Sequence, residues 1–330
     1  MPIVVITPEV LFQQPGPHIE MLRKAGFEVR FPSRGGLTEE TETIEAVREA
    51  AATIAGSEPY TERVLADLPN LRVISRWGVG VDCIDLDAVT RHGVAVAITP
   101  GSNHEAVAEH TLALLLALTR SLARQNREIR LGVWTKVPLL PLRGRTLGLV
   151  GMGRIGQSVA VRAAGFRLRL IAYDPFPDVD FAQTHGIELV DLDTLLAEAD
   201  YVTLHLPSTP STSGLINRKT LARMKPGSFL VNTSRGGLVV EEDLLAALQS
   251  GHLAGAGLDV FAQEPPSPGN PLFGLENVLT TAHMAGVDVQ SSMDMAVQAA
   301  QSIIDLYQGA WPHQTVVNSA IRPGWQWRTA

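Results

Sequence analysis

The stretch Thr146-Leu147-Gly148-Leu149-Val150-Gly151-Met152-Gly153-Arg154-Ile155-Gly156 decides the architecture. A short run of strand character feeds three glycines at the spacing of a dinucleotide-binding turn, and a helical pattern continues to about Gly165. The first glycine permits a tight turn, the second lets the main chain approach a pyrophosphate, and the third lets helix and strand pack closely. The phosphates then sit at a helix N-terminus. The glycine pattern alone is weak, and the strand before it and the helix after it make it specific. Leu168–Asp174 reads as the next strand and ends on an acid 18 positions after Gly156. A carboxylate there accepts hydrogen bonds from the adenosine ribose hydroxyls and repels a 2′-phosphate, so the expected cofactor is NAD and not NADP.

Outward from this turn the alternation continues. A helix near Thr194–Glu198 and strands at Tyr201–Leu206, Phe229–Asn232, Gly257–Val260 and Val278–Thr281 predict a doubly wound parallel sheet. On the N-terminal side, strands at Ile3–Thr7, Phe27–Phe31, Leu71–Ser75 and Val94–Thr99 alternate with a helix ending near Gly26 and another around Thr43–Ala55, which predicts a second, smaller parallel unit. Pro100-Gly101-Ser102-Asn103 then opens a long helix running through Leu122. After the last helix, about Ser291–Tyr307, the run Thr315-Val316-Val317-Asn318 has no place in the second sheet, so it is expected to return to the first. The expected domains are residues 1–101 with 293–330, and residues 102–292 inserted between them.

Composition narrows the function classes. The 330 residues are 45% hydrophobic and 18% charged with a net charge of −7, and no Lys/Arg run marks a phosphate-backbone partner, so no nucleic acid is expected. A single cysteine, Cys83, leaves no internal disulfide and no cysteine-based zinc site. The longest strictly apolar run, Leu112–Leu118, falls far short of the ~20 residues of a membrane span. The β-rich start Met1-Pro2-Ile3-Val4-Val5-Ile6 reads as a buried strand and not a signal peptide, so the expected location is cytoplasmic.

Further motifs carry a resemblance across nearly the whole chain. They are Gly78-Val79-Gly80-Val81-Asp82, Pro100-Gly101-Ser102-Asn103, the Gly151–Gly156 turn, Leu204-His205-Leu206-Pro207, Asn232-Thr233-Ser234-Arg235-Gly236-Gly237, Leu258-Asp259-Val260-Phe261-Ala262-Gln263-Glu264-Pro265 and Thr281-Ala282-His283. Together they resemble the D-2-hydroxyacid dehydrogenase family (D-isomer-specific, NAD-dependent), closest to its short phosphoglycerate dehydrogenase-like members. The resemblance implies a Rossmann NAD-binding domain inserted in a flavodoxin-like substrate domain, both doubly wound. It also implies hydride transfer between nicotinamide and C2 of a small anionic 2-hydroxyacid or 2-oxoacid.

The implied catalytic trio is His283, exchanging the proton on the substrate oxygen, Glu264, pairing with it and favouring its charged form, and Arg235, holding the substrate carboxylate through its fork of donors. Gly151, Gly153, Arg154, Ile155 and Gly156 are implied along the pyrophosphate, Asp174 on the ribose, and His205 and Pro207 beside the adenosine half. Thr233 joins this cofactor set, and Asp259 is implied at the nicotinamide amide. The main chain at Val79 and Gly80 is implied to take the substrate carboxylate. Arg76, just before that loop, is expected to reach a second anionic group, with Trp77, Trp325 and Trp327 read either as pocket walls or as packing. Cys83 replaces the family's usual Asn, and Ala282 its usual Pro. The helix Ser102–Leu122 and the extended Gly132–Leu142 segment resemble a dimerisation arm, which predicts a homodimer.

His104-Glu105-Ala106-Val107-Ala108-Glu109-His110 imitates a metalloprotease helix, but Ala108 stands where the second histidine is required, so no metal is expected. The rival reading is an NAD(H)-sensing corepressor-like binding protein, since fold alone does not define activity.

Overall fold

The computed structural model describes residues 1–12 and 14–327. The chain divides into two units, Met1–Asn103 with Asp288–Ala330, and His104–Val287. The divisions fall at 103/104 and 287/288, against the expected 101/102 and 292/293.

The first unit holds five parallel strands: β1 (Ile3–Ile6), β2 (Glu28–Arg30), β3 (Ala52–Ala55), β4 (Val73–Arg76) and β5 (Ala95–Ala97), in the order β2-β1-β3-β4-β5. Alternation along each strand feeds two cores. Val4, Ile54 and Val73 pack with Ile303 and Leu22 on one face, and Val5, Ile74 and Val96 pack with Val64 and Val89 on the other. The helix expected around Thr43–Ala55 is instead Glu40–Val47, and β3 follows it as a fully buried strand between β1 and β4. Alanine favours a helix locally, but a central strand covered on both faces accepts small side chains. Val316 bridges Ala97 antiparallel, and Asn318 accepts from Val96 N at 2.9 Å and donates to Val94 O at 2.8 Å, which brings the tail back to β5.

The second unit holds seven parallel strands: β6 (Thr146–Val150), β7 (Arg169–Tyr173), β8 (Glu188–Leu189), β9 (Tyr201–Leu204), β10 (Ser228–Asn232), β11 (Leu253–Leu258) and β12 (Val278–Thr280). Their order, β12-β11-β10-β9-β6-β7-β8, reverses between β6 and β9. Ligands of such sheets bind outside the carboxyl ends of the strands, at that reversal. All five residues of β6 are buried, as two-sided cover requires.

The long helix expected over Ser102–Leu122 is two helices, His104–Thr119 and Leu122–Arg130, bent by 56°. Ser121 between them sits at φ +49, and the apolar run gives way there to the polar Arg124-Gln125-Asn126-Arg127. Among the described residues no single helix is long and apolar enough to cross a membrane.

Candidate active site

Six strand ends of the second unit supply the site. Gly151–Gly156 follows β6, Asp174 follows β7, His205 follows β9, Arg235 follows β10, Asp259 follows β11 and His283 follows β12. Parallel strands put all of these on one edge.

At the glycine turn, Gly151 takes φ +106, and a Cβ on Gly156 would lie 2.1 Å from the Gly151 carbonyl oxygen, so both positions need glycine. Open space lies where a Gly153 Cβ would point, just before the helix Arg154–Ala164. The N–H groups of that first turn have no intrahelical partner and face the space a pyrophosphate would fill. Arg154 is exposed beside them and Ile155 is half-buried. Asp174 Oδ2 accepts from Met152 N at 2.7 Å and Oδ1 from Phe176 N at 2.8 Å, which staples the turn to the end of β7. Each carboxylate oxygen retains a lone pair for a ribose hydroxyl. These residues fit a dinucleotide.

His205 lies under this turn. A Cβ on Gly151 would meet the His205 carbonyl carbon at 2.7 Å, the ring Nε2 lies 3.0 Å from Thr203 Oγ1, and Nδ1 is buried without a partner. The ring thus floors the turn, while Pro207 is exposed. Burial takes the His205 imidazole down to about 3. A base depressed in the fold binds its proton more readily when unfolded, so its contribution is full above its ordinary ~6.5 and is lost as pH falls below that. Melting temperature is expected to drop between pH 7 and pH 5, with a smaller drop in His205→Gln. Parallel curves for the two proteins would contradict the assignment.

Around β10 to β12 the three catalytic candidates come together. His283 Nδ1 lies 2.7 Å from Glu264 Oε2, and Phe261 N donates to Glu264 Oε1 at 3.0 Å. Burial pushes the Glu264 carboxyl up, but the His283 pair, the Phe261 N–H and the Arg235 charge together hold it below its ordinary range. An ionised Glu264 fixes the His283 tautomer by accepting a hydrogen bond from Nδ1–H, and Nε2 on the opposite ring edge is then the nitrogen presented for proton exchange. Arg235 is half-buried, its Nη1 donates to Ser234 O at 2.7 Å, and Asn232 supports the turn by donating to Arg235 O at 2.9 Å.

Three residues stand differently from their expected roles. Asp259 is 0% exposed, and its carboxylate accepts from Thr281 Oγ1 at 2.5 Å, Met284 N at 2.8 Å and Ala285 N at 2.8 Å. It anchors the turn that carries His283, and any contact with a nicotinamide amide would have to be added to these three. Thr233 is buried against Thr111, with 2.7 Å between the hydroxyls, and does not present its side chain. Arg76, in the first unit, is only 8% exposed; its Nε donates to Gly80 O at 2.8 Å and its Nη1 to Ala55 O at 3.2 Å. The guanidinium braces the loop instead of reaching past it.

That loop is pinned at its start by Gly78 N donating to Thr99 Oγ1 at 3.0 Å, and Val79 is exposed. Trp77, Trp325 and Trp327 are packing and anchoring groups. Trp77 Nε1 donates to Ser292 O at 2.9 Å, Trp325 Nε1 to Gly93 O at 2.9 Å, and Trp327 lies edge-on to Tyr307 at 5.0 Å.

Residues 112–285 match the model of the D-isomer specific 2-hydroxyacid dehydrogenase NAD binding domain, and the chain belongs to that family. It is 38% identical over 307 residues to the D-3-phosphoglycerate dehydrogenase of Archaeoglobus fulgidus, covering 92% of this chain and 58% of that protein. To the glyoxylate reductase of Korarchaeum cryptofilum it is 40% identical over 294 residues, 86% of this chain and 88% of that one. The crystal structure of the TT0316 protein from Thermus thermophilus superposes with a TM-score of 0.84 at 39% identity, covering 96% of this chain and all of that one. The chain spans little more than half the length of the phosphoglycerate dehydrogenases it matches.

Proposed function

We propose that this chain is an NAD-dependent dehydrogenase that interconverts a small D-2-hydroxyacid and its 2-oxoacid. The observation that carries the reading is the 2.7 Å His283–Glu264 pair with the Arg235 charge acting on it, on the sheet edge that also bears the glycine turn. NAD supplies or accepts the hydride at C2. Arg235 holds the carboxylate and polarises the C2 oxygen as negative charge develops. In the reducing direction His283 gives that oxygen its Nε2 proton, and Glu264 stabilises the imidazolium before the transfer. In the oxidising direction the same nitrogen takes the proton back.

Asp174 supports NAD over NADP, because a 2′-phosphate would meet a carboxylate already fixed by two main-chain N–H groups. The enclosed Arg76 gives no support to a second anionic group on the substrate, so glyoxylate and pyruvate stand beside 3-phosphohydroxypyruvate as candidates. The relatives described above bear the names of enzymes, and nothing among them favours the corepressor alternative. Steady-state assays with glyoxylate, pyruvate, hydroxypyruvate, 3-phosphohydroxypyruvate and sulfopyruvate, each with NADH and with NADPH, test the reading. NADH consumption with one or more of them, exceeding that with NADPH, is expected. Equal use of NADPH would overturn the role of Asp174, and no consumption would overturn the activity.

A homodimer and a cytoplasmic location belong to the same proposal. The dimer is supported by apolar side chains left in water along one segment, Leu131 at 73% and Trp134 at 80% exposure with Leu122, Ile129 and Val137 beside them. Light scattering is expected to give twice 35.5 kDa, and a monomer at micromolar concentration would contradict it.

A further inference from the structure

We infer that His110 is a positioning residue for His283, acting through Thr281 and Asp259. The inference rests on the dehydrogenase reading above, and all four residues lie in the second unit.

His110 Nε2 lies 3.0 Å from Thr281 Oγ1 and 3.7 Å from Asp259 Oδ1. Thr281 Oγ1 has one proton, and it is committed at 2.5 Å to Asp259 Oδ1, the same oxygen that accepts from Met284 N. The hydroxyl must therefore accept from His110, which places the His110 proton on Nε2. The result is a directed chain, His110 Nε2–H to Thr281 Oγ1–H to Asp259.

Asp259 is where the chain acts on catalysis. Its carbonyl accepts from His283 N at 2.8 Å, and its carboxylate accepts from Met284 N and Ala285 N, each at 2.8 Å. These bonds hold His283 and the two residues after it, the Thr281 bond holds the chain two residues before it, and between them the His283 backbone sits at φ +53. A non-glycine residue in that region is strained and persists only where its surroundings over-determine it. Ala282 precedes it, so no proline ring stiffens the approach. Aiming the Thr281 hydroxyl fixes the first residue of the clamp, and His110 supplies the aim.

The same helix treats the other catalytic loop in the same way. Thr111, the next residue, meets Thr233 at 2.7 Å, and its own proton goes to Val107 O at 2.7 Å. Thr233 stands two residues before Arg235, as Thr281 stands two before His283. Neighbouring residues of His104–Thr119 thus hold the approach to each catalytic side chain. This gives a task to the His110 end of the segment that resembles a metalloprotease helix.

The test uses the full chain with NADH and whichever 2-oxoacid supports wild-type turnover. His110→Ala is expected to lower kcat ~10-fold, within the range that sub-ångström to 1 Å misplacement costs, with KM and NADH dissociation changed less than about 2-fold. His110→Gln, whose amide N–H falls near the imidazole Nε2–H, is expected to restore most of kcat. Thr281→Val cuts the same chain, so the His110→Ala/Thr281→Val double variant is expected to be no slower than the slower single one. Additive losses, a loss seen mainly in KM, or no rescue by glutamine would overturn the inference. A second arm needs no activity. In ¹⁵N-histidine-labelled protein, His110 is expected as the Nε2–H tautomer, and the His283 ring signals are expected to move in His110→Ala and return in His110→Gln. An Nδ1–H tautomer, or His283 signals indifferent to His110, would overturn it. A wild type with no turnover on any oxoacid would instead sink the dehydrogenase reading and leave the clamp to be judged by this arm.

Discussion

Replacing His283 by alanine is expected to lower kcat by ~10²–10⁴-fold while NADH affinity stays within a few-fold of wild type. General acid–base catalysis by a positioned side chain typically supplies that factor. Affinity is spared because the proposed dinucleotide contacts gather after β6, β7 and β9, whereas His283 follows β12, the last strand of the order along the same C-terminal edge. Its Nδ1 is held at 2.7 Å by Glu264, so removing the carboxylate should cost part of the same factor. Glu264→Gln retains an acceptor oxygen but loses the charge that stabilises the imidazolium. The expected order of kcat is therefore wild type, then Glu264→Gln, then His283→Ala. Single-turnover kinetics and fluorescence titration with NADH separate the two quantities, and a His283→Ala enzyme turning over at the wild-type rate would exclude it as the proton donor.

Arg235→Ala is expected to reduce kcat/KM by ~10²–10³-fold, with both constants affected, because one group is asked to bind the carboxylate and to meet the charge developing on the C2 oxygen. Arg235→Lys should recover only a small part. An ammonium keeps the charge but not the planar fork that engages two oxygens, and its shorter donor reach would also give up the bond from Nη1 to Ser234 O. Full activity in the lysine variant would show that a point charge suffices, and near-normal activity in the alanine variant would remove Arg235 from the site.

The parts of this molecule legible from sequence are those whose signal is local. The Thr146–Gly156 turn, the acid at Asp174 and the near-continuous apolar strands of the second sheet each declare themselves within a dozen residues. The β3 strand was hidden because Ala-rich Ala50–Ala55 looks helical until β1 and β4 are seen on either side of it. The two-residue β8 and the short helices Glu62–Ala66, Leu86–Arg91 and Val179–Thr184 are too brief for periodicity to register. In the site, residue type was readable and side-chain direction was not. Arg76 turns inward to Gly80 O and Ala55 O, and Asp259 turns into the His283 turn, because buried main-chain groups there need partners. Thr281 and His110 are not legible as a pair because 171 positions separate them and only the parallel sheet brings β12 alongside the His104–Thr119 helix.

The most direct measurement of the proposed chemistry follows the hydride itself. The purified chain is supplied with NADH deuterated at both C4 positions and whichever of pyruvate, hydroxypyruvate, 3-phosphohydroxypyruvate and sulfopyruvate, all of which give a chiral product, it consumes fastest, and the product is analysed by mass spectrometry and chiral chromatography. A 2-hydroxyacid of D configuration carrying one deuterium at C2 is the expected result. An unlabelled product, an L product, or no product from any 2-oxoacid would contradict the assignment of this site as a D-2-hydroxyacid dehydrogenase.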